Sequence, residues 1–215
     1  MKHILLEQLD EGLNQQIETL DNCQALALAG LSISRLWYPF EKWSLQHQAP
    51  KLAQWAKQCM DILWEQIALE QTYGLNFAGY DKNLDKIDRK LERLEDNDIS
   101  VDGSSASPLL DAFTCALCCF YDPKLLPGLN PISFERDITA IVGQGAEYIY
   151  DVLFSNSDKE DEEDIITLVS QSPAWQGELL RIKEDIALVK SFPQNKQDVL
   201  RQREAYELLD IFRGI

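Results

Sequence analysis

The chain has 215 residues, with 20 Lys and Arg against 36 Asp and Glu, a net charge of −16, and 45% apolar and 26% charged residues. This is the size of one domain with enough apolar material for a sizeable core. The charge argues against a DNA-, RNA- or anionic-membrane-binding surface, because phosphate contacts need clustered Lys and Arg, and leaves solubility or a basic protein partner as its use.

At the start, Glu7 and Asp10 interrupt the apolar Ile4-Leu5-Leu6, so no signal peptide is expected. No apolar run is long enough to span a bilayer. The five cysteines, at 23, 59, 115, 118 and 119, are odd in number and suit reduced thiols in a cytoplasmic protein.

Residues 4–20 place apolar side chains at 5, 6, 9, 13, 17 and 20, the spacing of an amphipathic helix. Asp21-Asn22 reads as a break and a cap. Ala25 to Trp37 is a second helix, apolar at nearly every position. Its Ala-Leu alternation mimics a strand, but both residues are helix formers. Pro39 is expected to bend or end it, with Phe40 to Leu45 adding Trp43. After a loop around His47 and Pro50, residues 52–69 repeat Leu52, Trp55, Ala56, Cys59, Met60, Leu63 and Ile67 at three- and four-residue steps, the mark of a buried face.

Residues 73–80 hold two glycines and read as a loop. Residues 81–95 have a thin apolar seam (Leu84, Ile87, Leu91, Leu94) among charges, which suits a surface helix. Residues 97–107 are polar and rich in Ser, a loop signal. Residues 109–121, Leu-Leu-Asp-Ala-Phe-Thr-Cys-Ala-Leu-Cys-Cys-Phe-Tyr, are apolar on every side except at Asp111 and Thr114, so other elements are expected to surround this helix. Ser107 is its expected cap and Pro108 fits its first turn, with Asp122-Pro123 as the stop.

Three prolines stiffen residues 122–131. Ser133 opens a helix over 134–154, and a turn at 155–158 leads to a short helix over 160–170. Ser172-Pro173 opens another helix through Trp175, Ile182, Ile186 and Val189, which Phe192-Pro193 breaks. Residues 199–212 close the chain as an amphipathic helix. With no credible strand and no repeat period, the expected fold is all-α: a single-domain bundle of seven to nine helices over residues 1–215, around a buried helix at 109–121.

Motifs with chemical potential are few. Cys115, Cys118 and Cys119 share a helical face, but zinc needs about four ligands and no second Cys or His pair is near in sequence, so core packing is the expected role. Gly143-Gln144-Gly145 resembles a phosphate loop but lacks the preceding strand and third glycine, and reads as a notch for a neighbouring helix. Paired acids such as Asp61 with Glu65 lack the Glu-x-x-His pattern of di-iron bundles. With only His3 and His47 present, and no nucleophile elbow, P-loop or zincin motif, no enzyme activity, cofactor or metal is expected. A carboxylate-based hydrolase is the weakest alternative.

Two surfaces are left as candidates for a partner. Asp158, Glu160, Asp161, Glu162, Glu163 and Asp164, with Lys159, concentrate acid at a helix start, where carboxylates also oppose the positive end of the helix dipole. Trp37, Tyr38 and Trp43 form an aromatic cluster around Pro39, either core or a binding surface. A compact acidic protein without a catalytic set suits a binding module. The leading expectation is an immunity-type protein that covers the basic active surface of a bacterial toxin, with nucleases as the natural target.

Three stretches, Ser34-Arg-Leu-Trp-Tyr-Pro-Phe40, Ile62-Leu-Trp-Glu-Gln-Ile67 and Leu110-Asp-Ala-Phe-Thr-Cys-Ala-Leu117, together resemble the YjaG-like family of bacterial cytoplasmic helical proteins. That pattern is an Arg-x-x-Tyr-Pro motif, then a Trp-Glu helix, then an Asp-Ala helix. The resemblance implies an all-helical fold and brings no catalytic residues. It supplies the alternative role, a housekeeping helical protein without a toxin partner.

Overall fold

The computed structural model describes residues 12–72, 74–76, 79, 82–83, 85–86, 89, 106–120, 134–155 and 162–212. The protein is all-α. Bounded helices are α1 (Asn22–Gln46), α2 (Pro50–Ala68), α3 (Ala106–Phe120), α4 (Phe134–Ser155), α5 (Glu162–Gln171), α6 (Pro173–Val189) and α7 (Lys196–Leu208), with further helical residues at 12–17 and at 82–83, 85–86 and 89. Among the described residues there is no β-strand, and no helix is long and apolar enough to cross a membrane.

The bundle is organised around α1, which packs against α2, α3, α4, α6 and α7. Its start is fixed by a capping box. The Asp21 carboxylate accepts from the Gln24 amide at 2.9 Å, and the Gln24 side chain accepts from the Asp21 amide at 3.0 Å. From Ala25 to Trp37 every residue is buried. Pro39 does not end this helix, which runs on to Gln46. The proline leaves the Arg35 carbonyl without its usual donor, but Pro39, Phe40 and Trp43 are all buried, and packing outweighs the lost bond.

Gly30 sets the contact between α1 and α2. A Cβ there would meet the Trp64 ring at 3.1 Å, besides overlapping the end of Ile67. Trp64 lies almost wholly inside, and its indole N–H donates to Ser34 Oγ at 3.0 Å. Ser34 in turn donates to the Gly30 carbonyl at 2.8 Å. The buried indole therefore has the partner its N–H needs.

The helix expected over 109–121 spans Ala106–Phe120. Leu109, Leu110, Ala112, Phe113, Ala116 and Phe120 are buried, while Asp111 is exposed and Thr114, Cys115 and Cys119 are half-buried. It packs on α1 and α4, and Phe113 meets Trp55 of α2 edge-on, with centroids 6.3 Å apart. Ser107 sits within the first turn instead of capping it, and its hydroxyl lies 3.5 Å from the Asp111 carboxylate. At the far end the Leu75 amide donates to the Phe120 carbonyl at 2.8 Å, so the chain before α3 satisfies its last turn.

α6 opens at Ser172-Pro173 as expected, and Ser172 caps it, accepting from the Trp175 amide at 3.1 Å. The sequence expectations for residues 4–11, for most of 97–107 and for 122–133 fall outside the described residues, as does the stop at Asp122-Pro123. Those for 73–80 and 81–95 fall outside them in part.

Phe113→Asp is expected to abolish the cooperative melt, because an unpaired carboxylate in this environment costs several kcal/mol out of a total stability of about 5–15 kcal/mol. A variant melting within a few degrees of wild type would refute the placement of α3.

Candidate functional site

The acidic run leads directly into a helix. Glu162, Glu163 and Asp164 open α5, whereas Asp158, Glu160 and Asp161 lie outside the described residues. α5 packs against α4 and α6. Val169 on it is fully buried, while Thr167 and Leu168 are exposed, so the helix lies at the edge of the bundle with one side outward.

The aromatic cluster turns inward. Trp37 and Trp43 retain only 6% and 5% exposure, and Phe40 between them retains none. The Phe40 and Trp43 rings stack at 5.8 Å, Trp37 lies tilted 6.2 Å from Phe40, and His47 closes the series 5.2 Å from Trp43. Trp37 and Trp43, offered as a second contact face, are therefore core side chains that anchor the C-terminal half of α1, and Tyr38 alone is partly exposed. The reason is the length of α1. A helix that runs through Pro39 carries these aromatics along the face it already buries.

Cys115 and Cys119 pack half-buried against the core, and the Cys118 side chain lies outside the described residues. Cys59 is buried, and burial pushes its thiol up to about 12, away from thiolate chemistry. Among the described residues no group of three or more His, Cys, Asp or Glu is arranged to hold a metal ion.

The site that sequence reasoning did not single out is a charged cluster in the centre of the protein. Arg35 of α1 is fully buried, as are Glu178 and Asp185 of α6 within 1%. Arg35 Nη1 pairs with Asp185 Oδ2, and its Nη2 donates to Ser32 Oγ at 3.2 Å. Its Nε lies 3.0 Å from Glu178 Oε1, close but not aligned as a hydrogen bond. Tyr206 of α7 donates its hydroxyl to Asp185 Oδ1 at 2.8 Å, and its ring faces the guanidinium at 5.6 Å. Arg181, partly exposed, holds the other oxygen of Glu178 at 3.2 Å. Two guanidinium and two carboxylate groups thus balance across α1 and α6, and the Tyr206 hydroxyl ties α7 to them.

Gly145 makes room for this arrangement. A Cβ there would collide with the Glu178 carboxylate. Gly145 is therefore a notch, as its helical context suggests, and it admits a side chain of α6. The pattern that could have revealed the cluster is Arg35 itself, the one charge in the long apolar run from Ala25 to Trp37. A lone Arg in such a run must find carboxylates inside the fold.

The electrostatics follow from burial. Desolvation pushes the Asp185 carboxyl up to about 6, and Arg35 and Tyr206 offset only part of this. Burial also raises the Tyr206 phenol, again partly offset by Arg35. For Arg35 burial acts downward, but Glu178 and Asp185 outweigh it and keep the guanidinium charged. With both carboxylates engaged and solvent excluded, the cluster joins three helices and offers no open face to a reactant.

No protein-family model, curated protein or solved structure matches this chain.

Removing one member should strand its partners. Arg35→Met is expected to cost about 3–5 kcal/mol, while the triple change with Glu178→Gln and Asp185→Asn should recover most of it. Equal destabilisation of single and triple variants in urea would contradict the charge argument.

The pH dependence has a definite sign. The folded-state value of Asp185 lies above the ordinary 3.8, so the native state holds this proton more tightly. Its contribution is full below about pH 4 and is lost as pH rises through about 6. Facing it are Arg35 from α1, Glu178 and Glu184 from α6 and Tyr206 from α7. Wild type should lose stability relative to Asp185→Asn across that interval in denaturant titrations. A gap that does not change with pH would rule this out.

Proposed function

We propose that this protein is an acidic binding module of the immunity type, which neutralises a cognate bacterial toxin by covering its basic active surface. A nuclease is the leading target class, because a surface that binds phosphate must be basic and is matched by carboxylates. The observation that carries this reading is the acidic run at 158–164, which enters the first turn of an edge helix braced on two others. The net charge of −16 adds a long-range field that speeds encounter with a basic partner. In this reading the protein works in the cytoplasm as a binder and not as an enzyme, without cofactor or metal.

The alternative is a housekeeping helical protein of the YjaG-like type, whose acidity serves solubility alone. Its support is the short Arg-x-x-Tyr-Pro, Trp-Glu and Asp-Ala resemblance. Arg35 of that motif is committed to the core, so the motif has a structural use that needs no partner.

A pull-down from the source cell, followed by co-expression rescue with any toxin recovered, separates the two. With a partner in hand, replacing Glu160, Asp161, Glu162 and Glu163 by Ser is expected to leave folding nearly intact and to slow association. It should also flatten the salt dependence, since steering is screened over about 8 Å at physiological salt. Surface plasmon resonance at two salt concentrations is the check. Unchanged association rates at both would remove the run from the interface.

A further inference from the structure

Positive charge also collects at a concave place on this acidic chain. Residues Gln48 to Leu52, at the turn into α2, face Lys86 and Arg89 across a groove of about 610 Å³. Ala49 and Leu52 are buried and form an apolar floor, while Lys51, Lys86 and Arg89 are exposed and stand along the rim. No carboxylate lines it among the described residues. Of the other cations, Arg35, Lys57, Arg181, Lys196, Arg201 and Arg203 sit in ion pairs. Among the described residues none of the three rim cations is ion-paired. Lys86 donates only to the neutral Asn83 side chain, at 3.0 Å.

We propose that this groove binds a small phosphorylated molecule, with the phosphate held by Lys51, Lys86 and Arg89 and an apolar body resting on Ala49, Pro50 and Leu52. Three features support that choice of ligand. The volume falls within the range of roughly 300–1,000 Å³ usual for small-molecule sites. Two ammonium groups and a guanidinium suit a phosphate dianion, since Arg presents a planar fork to its oxygens. The first turn of α2 adds to this, because Ala49 supplies no side-chain cap and leaves the positive end of the helix facing the same space.

Magnitude decides between a small anion and a polyanion. The field of the whole chain is repulsive to either, but at physiological salt it is screened over about 8 Å. A ligand confined to the groove therefore sees the three cations first. A polynucleotide would extend beyond that distance and meet the carboxylates that dominate the remaining surface. The site is independent of the acidic run and does not rest on the immunity reading.

Isothermal titration of the full chain with adenosine monophosphate and with inorganic pyrophosphate, at about 0.15 M salt, tests the assignment. The expected result is one-to-one binding of both, with the nucleotide tighter because it alone carries an apolar body. Joint replacement Lys51→Glu and Arg89→Glu should weaken it by about tenfold or more with the melting temperature of the free protein retained. The milder pair Lys51→Gln and Arg89→Gln should weaken it in the same direction and serves if the first pair fails to fold. Absence of heat with both probes would overturn the proposal, as would binding that either folded pair leaves unchanged. Tighter binding of pyrophosphate than of the nucleotide would refute the apolar floor. Binding of a polyglutamate peptide without binding of either phosphate probe would give the groove to an acidic protein segment instead.

Discussion

A guanidinium sealed away from water governs how this bundle assembles. The charge of Arg35 is not removable at any accessible pH, so the fold must bring carboxylates to it. Glu178 and Asp185, seven residues apart on α6, meet this need only if α6 lies across α1 in one register. That register drives the Glu178 carboxylate into α4, where only a glycine leaves space. It also places Asp185 beneath the Tyr206 hydroxyl, which fixes α7. Apolar burial supplies the bulk of the driving force, but apolar contacts are interchangeable in a way that this cluster is not.

The interior and exterior use charge differently. Inside, Arg35 meets Glu178 and Asp185, with Arg181 at the margin, and for Asp185 their attraction offsets only part of the cost of drying. Outside, the pairs are weak: Arg201 with Asp198 is more than half exposed on both sides, where such contacts contribute about 0–1 kcal/mol. The surplus of acid is therefore no stabilising device. It makes the compact state repel itself.

Much of the architecture was legible from periodicity. The three- and four-residue steps from Leu52 to Ile67 mark the buried face of α2, and Ser172-Pro173 marks the start of α6 through a hydroxyl cap and a ring that fits the first turn. Other places were not legible. Pro39 signals an interruption locally, yet burial on both sides of it carries α1 on to Gln46. Trp37 and Trp43 look equally suited to an interface or a core, because one sequence cannot say which face of a helix its neighbours cover. The partners of Arg35 lie about 150 residues further on, and nothing local distinguishes Glu178 and Asp185 from exposed acids on the same helix, such as Glu184. The rim cations of the groove likewise come from separate segments and meet only in the fold.

The last helix differs in kind from the body it completes. α7 buries only Val199 and Tyr206 in full, with Leu200 packed at the core's edge, and many of its other ties are polar. Lys196 reaches back to the Ala68 carbonyl at the end of α2, Arg203 and Lys57 bridge to Asp61 and Glu207, and Arg203 lies over the Trp64 ring at 5.1 Å. An element fastened this way answers to ionic strength, while the apolar bundle beneath it answers to temperature and urea. This helix covers the protein's own buried charges. Loosening α7 would strip Tyr206 from Asp185 and admit water to Arg35, so the polar ties at the rim of the bundle also guard its centre.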